Sequence, residues 1–368
     1  MKKKTTSSFD PDAAAAASSG IFGLPSTPET AGVIVIPVPF DATTSYRPGT
    51  AGGPAAVLAA SHQVDLHDSQ YGAIHEPGIA MLPLPRHIVR LSAATRRRAA
   101  PVLEAGGADP GNARHRAIVA EVDRAGEAVN AWVRERAVEW LDRGRLVGVL
   151  GGDHSVPFGL IAELAHRHPG LGILHIDAHC DLREAYEGFR WSHASIFHQV
   201  MSELPGVARL VQVSVRDFGR RELEQIERSQ GRIRTFFEAD LRSVLSTGRS
   251  WDALVREILG GLPETVYISF DIDGLDPTLC PHTGTPVPGG MSFGEMTTLL
   301  AALAASGRRV VGFDLCEVVP APRGDEWDQN VGARVLYKLI GASLTSLGKI
   351  TPTRPRRGTG RRDRRTGR

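Results

Sequence analysis

Leu171-Gly-Ile-Leu-His-Ile-Asp-Ala-His-Cys-Asp181 is the stretch from which the rest of the chain can be read. An apolar run ends abruptly in carboxylates and imidazoles, the pattern of a buried parallel strand that delivers polar side chains at its carboxyl end. Two other stretches repeat it: Leu146-Val-Gly-Val-Leu-Gly-Gly-Asp-His-Ser155 and Thr265-Val-Tyr-Ile-Ser-Phe-Asp-Ile-Asp-Gly-Leu-Asp-Pro277. Alternate residues of an extended chain share a face. Asp177, His179 and Asp181 are therefore expected to point one way, as are Asp271 and Asp273, while Cys180 points back into the core. Four carboxylates converging on one face repel and lose hydration, a cost that bound cations relieve.

Outward from these blocks, strands and helices alternate. A first strand is expected over 33–38, followed by a loop broken by Pro48 and Gly49 and a helix from Pro54 to about Ser61. Residues 113–143 carry apolar side chains at spacings of three and four, which predicts a long amphipathic helix. Further strands are expected to end at Leu150 and to span 171–176, 208–214, 265–271 and 309–316. Helices are expected near 157–168, 195–203, 219–230, 251–260, 293–306 and 329–346. This order argues for an α/β fold with a parallel sheet covered on both faces, in which ligands gather at the carboxyl ends of the strands. Gly148, Gly151 and Gly152 form no dinucleotide fingerprint, and no nucleophile elbow is present.

The chain of 368 residues is long enough for a single α/β domain of about 300 residues or for two domains, and its 42% apolar and 23% charged residues are ordinary for a globular protein. No apolar run approaches the roughly 20 residues needed to span a bilayer, so no membrane partner is expected. Asp10 and Asp12 interrupt the basic start, and the alanines from Ala13 to Ala17 are too short a run for a signal core, so the protein reads as cytoplasmic. Cys180, Cys280 and Cys316 have no pairing spacing and read as free thiols. The expected organisation is a mobile leader over 1–30, a single domain over 31–348 and a basic disordered tail over 349–368. Residues 351–368 hold eight arginines against Asp363, a charge of +7 that leaves −5 on the remainder of a chain whose net charge is +2. Without stacking aromatics or a recognition module, this tail implies no specific nucleic-acid partner.

Carboxylates with imidazoles and no thiolate favour Mn(2+), with Ni(2+) as the alternative, over a structural zinc. Asp177, Asp181, Asp271 and Asp273 balance the charge of two divalent ions. This leaves room for a bridging hydroxide as nucleophile, with Asp177 and Asp271, the first carboxylate of each block, as shared ligands.

With these blocks intact, the chain resembles the ureohydrolases, a family that includes arginase, agmatinase, guanidinobutyrase and formimidoylglutamase. The resemblance runs over about residues 31–345. It implies a three-layer arginase-type α/β fold with a mostly parallel sheet of about eight strands, assembled as a homotrimer or homohexamer. It also implies one metal on His154, Asp177, Asp181 and Asp271 and a second on Asp177, His179, Asp271 and Asp273. By the same likeness, His193 is the catalytic histidine that passes a proton to the leaving amine, although Ala194 replaces the glycine that usually follows. Glu317 resembles the carboxylate that grips the substrate guanidinium. The activity implied is agmatinase-like cleavage of agmatine or free guanidine to urea and an amine or ammonia. The alternatives are guanidinobutyrase, arginase or formimidoylglutamase activity, or a noncatalytic metal-binding scaffold. Thr43, through its hydroxyl, and Trp327, as a wall that excludes longer tails, are the expected further contacts to a small guanidino substrate.

Overall fold

The computed structural model describes residues 9–16, 19–322 and 324–353. The chain runs β1 (Val33–Val38), α1 (Gly53–Ser61), the short antiparallel pair β2 (His67–Asp68) and β3 (Gly72–Ala73), β4 (Ile79–Met81), α2 (Arg86–Glu104) and α3 (Ala113–Leu141). It continues through β5 (Leu146–Gly151), α4 (Phe158–Arg167), β6 (Leu171–Ile176), α5 (Ile196–Glu203), β7 (Val207–Val215), α6 (Arg220–Arg228) and β8 (Ile233–Phe237). The last elements are α7 (Glu238–Ser246), α8 (Trp251–Gly260), β9 (Thr265–Asp271), α9 (Phe293–Ala305), β10 (Arg309–Cys316) and α10 (Trp327–Ser346). The central sheet has eight strands in the order β4-β1-β5-β10-β9-β6-β7-β8, and every pairing in it is parallel.

Alternation along the strands feeds two cores. Val33 and Val35 face one helical layer with α1, α8, α9 and α10, whereas Ile34 and Ile36 face the other with α2, α3, α4 and α5. Both faces are thus buried, which is why the strands read as continuous apolar runs. α3 packs so closely on α4 that a Cβ on Gly159 would lie 2.1 Å from the Asn130 carbonyl oxygen. The Asn130 amide also donates to the Ser155 carbonyl, fixing the turn that carries His154. No helix among the described residues is long and apolar enough to cross a membrane.

The observed order matches the expected α/β alternation, with six elements added: the short strands β2, β3 and β4, the edge strand β8, and the helices α2 and α7. α2 buries Ile88, Ser92, Thr95, Ala99 and Val102, a helical stripe whose small polar members hide it from an apolar template. β8 is an edge strand in which only Ile233 is buried, and α7 follows it directly. A leader boundary at residue 30 falls late. Ile21, Phe22 and Leu24 lie in the larger core, the Phe22 amide donates to Ser61 Oγ at 2.8 Å, and its ring stands 4.7 Å from that of Tyr337. Of the basic tail, residues 354–368 lie outside the described residues.

Phe22→Ala should therefore destabilise the domain by about 3–5 kcal/mol, the cost of emptying a buried phenyl site. Denaturant unfolding checks this, and an unchanged midpoint would return the segment to the leader.

Candidate metal centre

The four central strands of the sheet, β5, β10, β9 and β6, end side by side, and each opens into a turn that carries polar residues. β5 and β6 stop before their ligands and β9 ends on Asp271, so strict alternation does not set the directions of the side chains that follow. Asp181 takes φ 54°, and Ile272–Gly274 forms a 3₁₀ turn capped by Asp271, whose carboxylate accepts the Asp273 amide at 2.8 Å. Glu317, immediately after β10, takes φ 65°. Convergence is therefore the work of turns, whose left-handed backbone is costly for a side chain other than glycine or asparagine. Cys180 is buried among the apolar residues as expected, and its Sγ joins none of the clusters.

Two groups of ligand atoms result. His154 Nδ1 lies 3.1 Å from Asp177 Oδ2, 3.3 Å from Asp181 Oδ2 and 3.4 Å from Asp271 Oδ2. His179 Nδ1 lies 3.4 Å from Asp177 Oδ1 and 3.2 Å from Asp273 Oδ2. Asp177 thus presents one oxygen to each group. Separations of about 3 Å are those of neighbouring donors around one ion with bonds of about 2.1 Å.

A further ring of polar groups fixes these side chains. The Gln212 amide donates to His175 Nδ1, leaving the His175 Nε2 proton to bond Asp177 Oδ2 at 2.8 Å. Ser269 Oγ bridges His154 Nε2 and Asp314 Oδ2, at 2.9 and 2.7 Å. Partners of this kind hold imidazole and carboxylate ligands in one tautomer and one orientation. Asp153 caps Ser155, with its Oδ2 left unpartnered, and Asp276 caps Thr278; neither touches a ligand group through these bonds.

The electrostatics show what the cluster lacks. Burial, reinforced by Asp177, pushes the Asp181 carboxyl up to about 7. Burial beside Asp273 and Asp177 drives Asp271 well above the carboxylate range, and burial near Asp153 does the same to Glu317. Asp177 goes the other way: burial opposes its charge, but His175, His154 and His179 outweigh it and hold the group well below the ordinary range. His154 and His179 are raised well above the usual imidazole value, because their carboxylate neighbours overcome burial.

The groups open into a cavity of about 260 Å³ whose wall includes His179, Asp181, His193, Tyr46, Arg183 and Thr285. His193 Nδ1 is buried without a hydrogen-bond partner, and burial with His179 alongside lowers the imidazole to about 3, so it is neutral. Glu317 is buried behind the groups, where its Oε1 accepts the His154 amide at 2.9 Å. Thr43 and Trp327 are not brought to the cavity. The Thr43 hydroxyl is buried and donates to the Trp191 carbonyl at 3.1 Å. Trp327 opens α10 at 48% exposure, and its indole N–H donates to the Thr278 carbonyl at 3.0 Å.

Residues 31–341 match the model of the arginase family. The chain belongs to that family. It is 36% identical over 337 residues to the N(1)-aminopropylagmatine ureohydrolase of Thermus thermophilus, covering 90% of this chain and 97% of that protein. It is 30% identical over 336 residues to the proclavaminate amidinohydrolase of Streptomyces clavuligerus, covering 88% and 94%. The solved agmatine ureohydrolase of Thermoplasma volcanium superposes with a TM-score of 0.66 at 22% identity, over 88% of this chain and 94% of that one, and shows the shared fold. The protein is accordingly a hydrolase acting on the carbon–nitrogen bonds of linear amidines.

Within this arginase-family site, the strand ends were readable from sequence, whereas Gln212, Ser269 and the mouth residues Ser45, Tyr46, Arg183, Asp217 and Glu222 were not. Gln212 is a polar residue inside the apolar run of β7, and that interruption was the one available signal. Thr43→Val should cost about 1–3 kcal/mol, since it orphans a buried carbonyl, and should leave KM unchanged. Thermal unfolding and steady-state kinetics check this; a raised KM at unchanged stability would put the hydroxyl on the substrate.

Proposed function

We propose that this chain is a ureohydrolase that uses two divalent metal ions, Mn(2+) first and Ni(2+) as the alternative, to cleave a guanidino C–N bond to urea and an amine or ammonia. The observation that carries the reading is Asp177, whose two oxygens face two separate ligand groups centred on His154 and His179. The donor set fits such ions. It is oxygen and imidazole throughout, and the nearby Cys316 is held as a neutral thiol because burial raises it well above its usual value. His154, Asp181 and Asp271 would hold one ion and His179 and Asp273 the other, with Asp177 and Asp271 shared. When bound, the pair supplies the positive charge that lets these carboxylates ionise and makes a water nucleophilic near neutral pH.

The chain's own residues do the rest. The Glu317 carboxylate grips the substrate guanidinium through charge-assisted hydrogen bonds and sets its carbon in line for attack. His193, neutral and in the cavity wall, accepts a proton and hands it to the departing amine.

Agmatine is favoured over free guanidine as substrate. Trp327, whose bulk would exclude a tail, stands outside the wall, and Asp217 at the mouth offers a carboxylate to a terminal ammonium. The relatives named as agmatinase from Bacillus anthracis and N(1)-aminopropylagmatine ureohydrolase point the same way. The assembly that the family resemblance supports is a homotrimer or homohexamer.

Urea release from agmatine, N(1)-aminopropylagmatine, guanidine, arginine and 4-guanidinobutyrate, each with Mn(2+) and with Ni(2+), tests the proposal. Agmatine or its aminopropyl derivative should give the highest kcat/KM; no urea from any compound with either ion would overturn it. His193→Asn should retain its metal content yet lose about 10² or more in turnover, the scale of general acid–base catalysis. Near-normal turnover would remove His193 from the reaction.

A further inference from the structure

Between the turn that carries Asp273 and helix α9, residues 276–290 cross the top of the site with no helix or strand of their own. The stretch supplies Thr285, Pro286 and Val287 to the cavity wall. It also touches the groups on which the proposed reaction depends. Thr285 Oγ1 donates to Asp273 Oδ2 at 3.3 Å, Thr283 Oγ1 donates to the Glu317 carbonyl at 2.8 Å, and a Cβ on Gly284 would lie 3.2 Å from Glu317 Oε2. A shift of this segment would therefore be felt at once by a carboxylate of the metal groups and by the guanidinium contact.

One anchor of the segment lies outside the cavity, in the first turn of α10. Asp328 is 1% exposed, and both of its oxygens are engaged by one residue. Oδ1 accepts the His282 backbone amide at 2.8 Å, and Oδ2 meets His282 Nδ1 at 2.9 Å. Two bonds from backbone and ring together fix the χ angles of His282 and the backbone on either side of it. The position suits a carboxylate, since the first turn of a helix favours negative charge. Other ties act on the same stretch: the Trp327 indole on the Thr278 carbonyl, Arg47 Nη1 on the Pro281 carbonyl at 3.1 Å, Arg216 Nε and Nη2 on the Val287 carbonyl at 3.2 and 3.0 Å, and Arg242 Nη2 on the Gly290 carbonyl at 2.7 Å. α10 follows β10, the strand that leads into Glu317, in the chain.

We propose that Asp328 and His282 are positioning residues for the hydrolytic reaction. Their paired hydrogen bonds seat residues 283–287 against Asp273 and Glu317 and thereby set how the guanidinium is presented. This rests on the reading of Glu317 as the guanidinium contact. The pair touches no substrate and no ligand atom, so it acts on substrate orientation and not on metal content.

The test uses the full chain with its metal bound. His282→Ala should keep the metal content of the wild type, lower its unfolding midpoint because a buried Asp328 oxygen loses its partner, and lower kcat/KM by about tenfold, mainly through KM, within the roughly 10² that a 1 Å misplacement costs. His282→Asn, whose side-chain amide can donate in place of Nδ1–H, should recover most of that loss. Hydrogen exchange supplies a readout that needs no substrate: the amides of Thr283, Gly284, Thr285 and Val287, of which Thr283 donates to the Cys280 carbonyl, should exchange faster in His282→Ala and in Asp328→Ala, while those of β6 and β9 stay as in the wild type. Unchanged exchange at 283–287 in both variants overturns the proposal. So does a wild-type kcat/KM for His282→Ala when Glu317→Gln is impaired. If Glu317→Gln itself retains wild-type kcat/KM, the reading of Glu317 fails, and that result is distinct from either of the others.

Discussion

Five carboxylates, those of Asp177, Asp181, Asp271, Asp273 and Glu317, are buried together at one edge of the sheet, and the rest of the structure is organised around that concentration of like charge. Left to themselves they cannot all ionise. Asp271 and Glu317 are driven toward the neutral form by burial and by each other's neighbours, and His154 and His179 are held protonated. A fold that keeps such a cluster must hold it against repulsion with something stiffer than the cluster itself. Here that is a parallel sheet buried on both faces, whose four central strands end in adjacent positions and whose helices close over each side. Positive charge placed between the His154 and His179 groups converts the strain into a preorganised site.

Much of this was legible in the sequence because the same physics writes both patterns. A strand buried on two faces is mostly apolar, and β5, β6 and β9 are, with His175 and Ser269 as the polar interruptions, so the abrupt switch to Asp and His at their ends marked both the fold and the site. Side-chain direction was not legible by strand parity. Asp181 and Asp273 reach the cluster through a left-handed residue and a 3₁₀ turn, neither of which strand alternation anticipates. α2 escaped because its buried stripe relies on Ser92, Thr95 and Ala99, and β8 escaped because an edge strand buries little.

The mouth of the cavity was the least readable part. Tyr46, Arg183, Asp217 and Thr285 come from four different loops, held by hydrogen bonds outside the regular pairing of helices and sheet. Asp41, for example, accepts the Gly49 and Ala51 amides and so closes the loop that presents Ser45 and Tyr46. Trp327 illustrates the same limit from the other side. A bulky aromatic near Glu317 in the chain reads as a pocket wall, yet the start of α10 turns it to the surface, where it ties down Thr278. Metal ligation depends on strand ends and is written locally, whereas substrate choice depends on loops and is written in their distant contacts.

The central claim is that one carboxylate joins two ion sites, and metal stoichiometry tests it most directly. Elemental analysis after loading with Mn(2+) and desalting should give two equivalents for the wild type and none for Asp177→Ala, because that substitution removes one oxygen from each group. Asp273→Ala, which touches only the His179 group, should keep one. Two equivalents retained by folded Asp177→Ala would contradict the account.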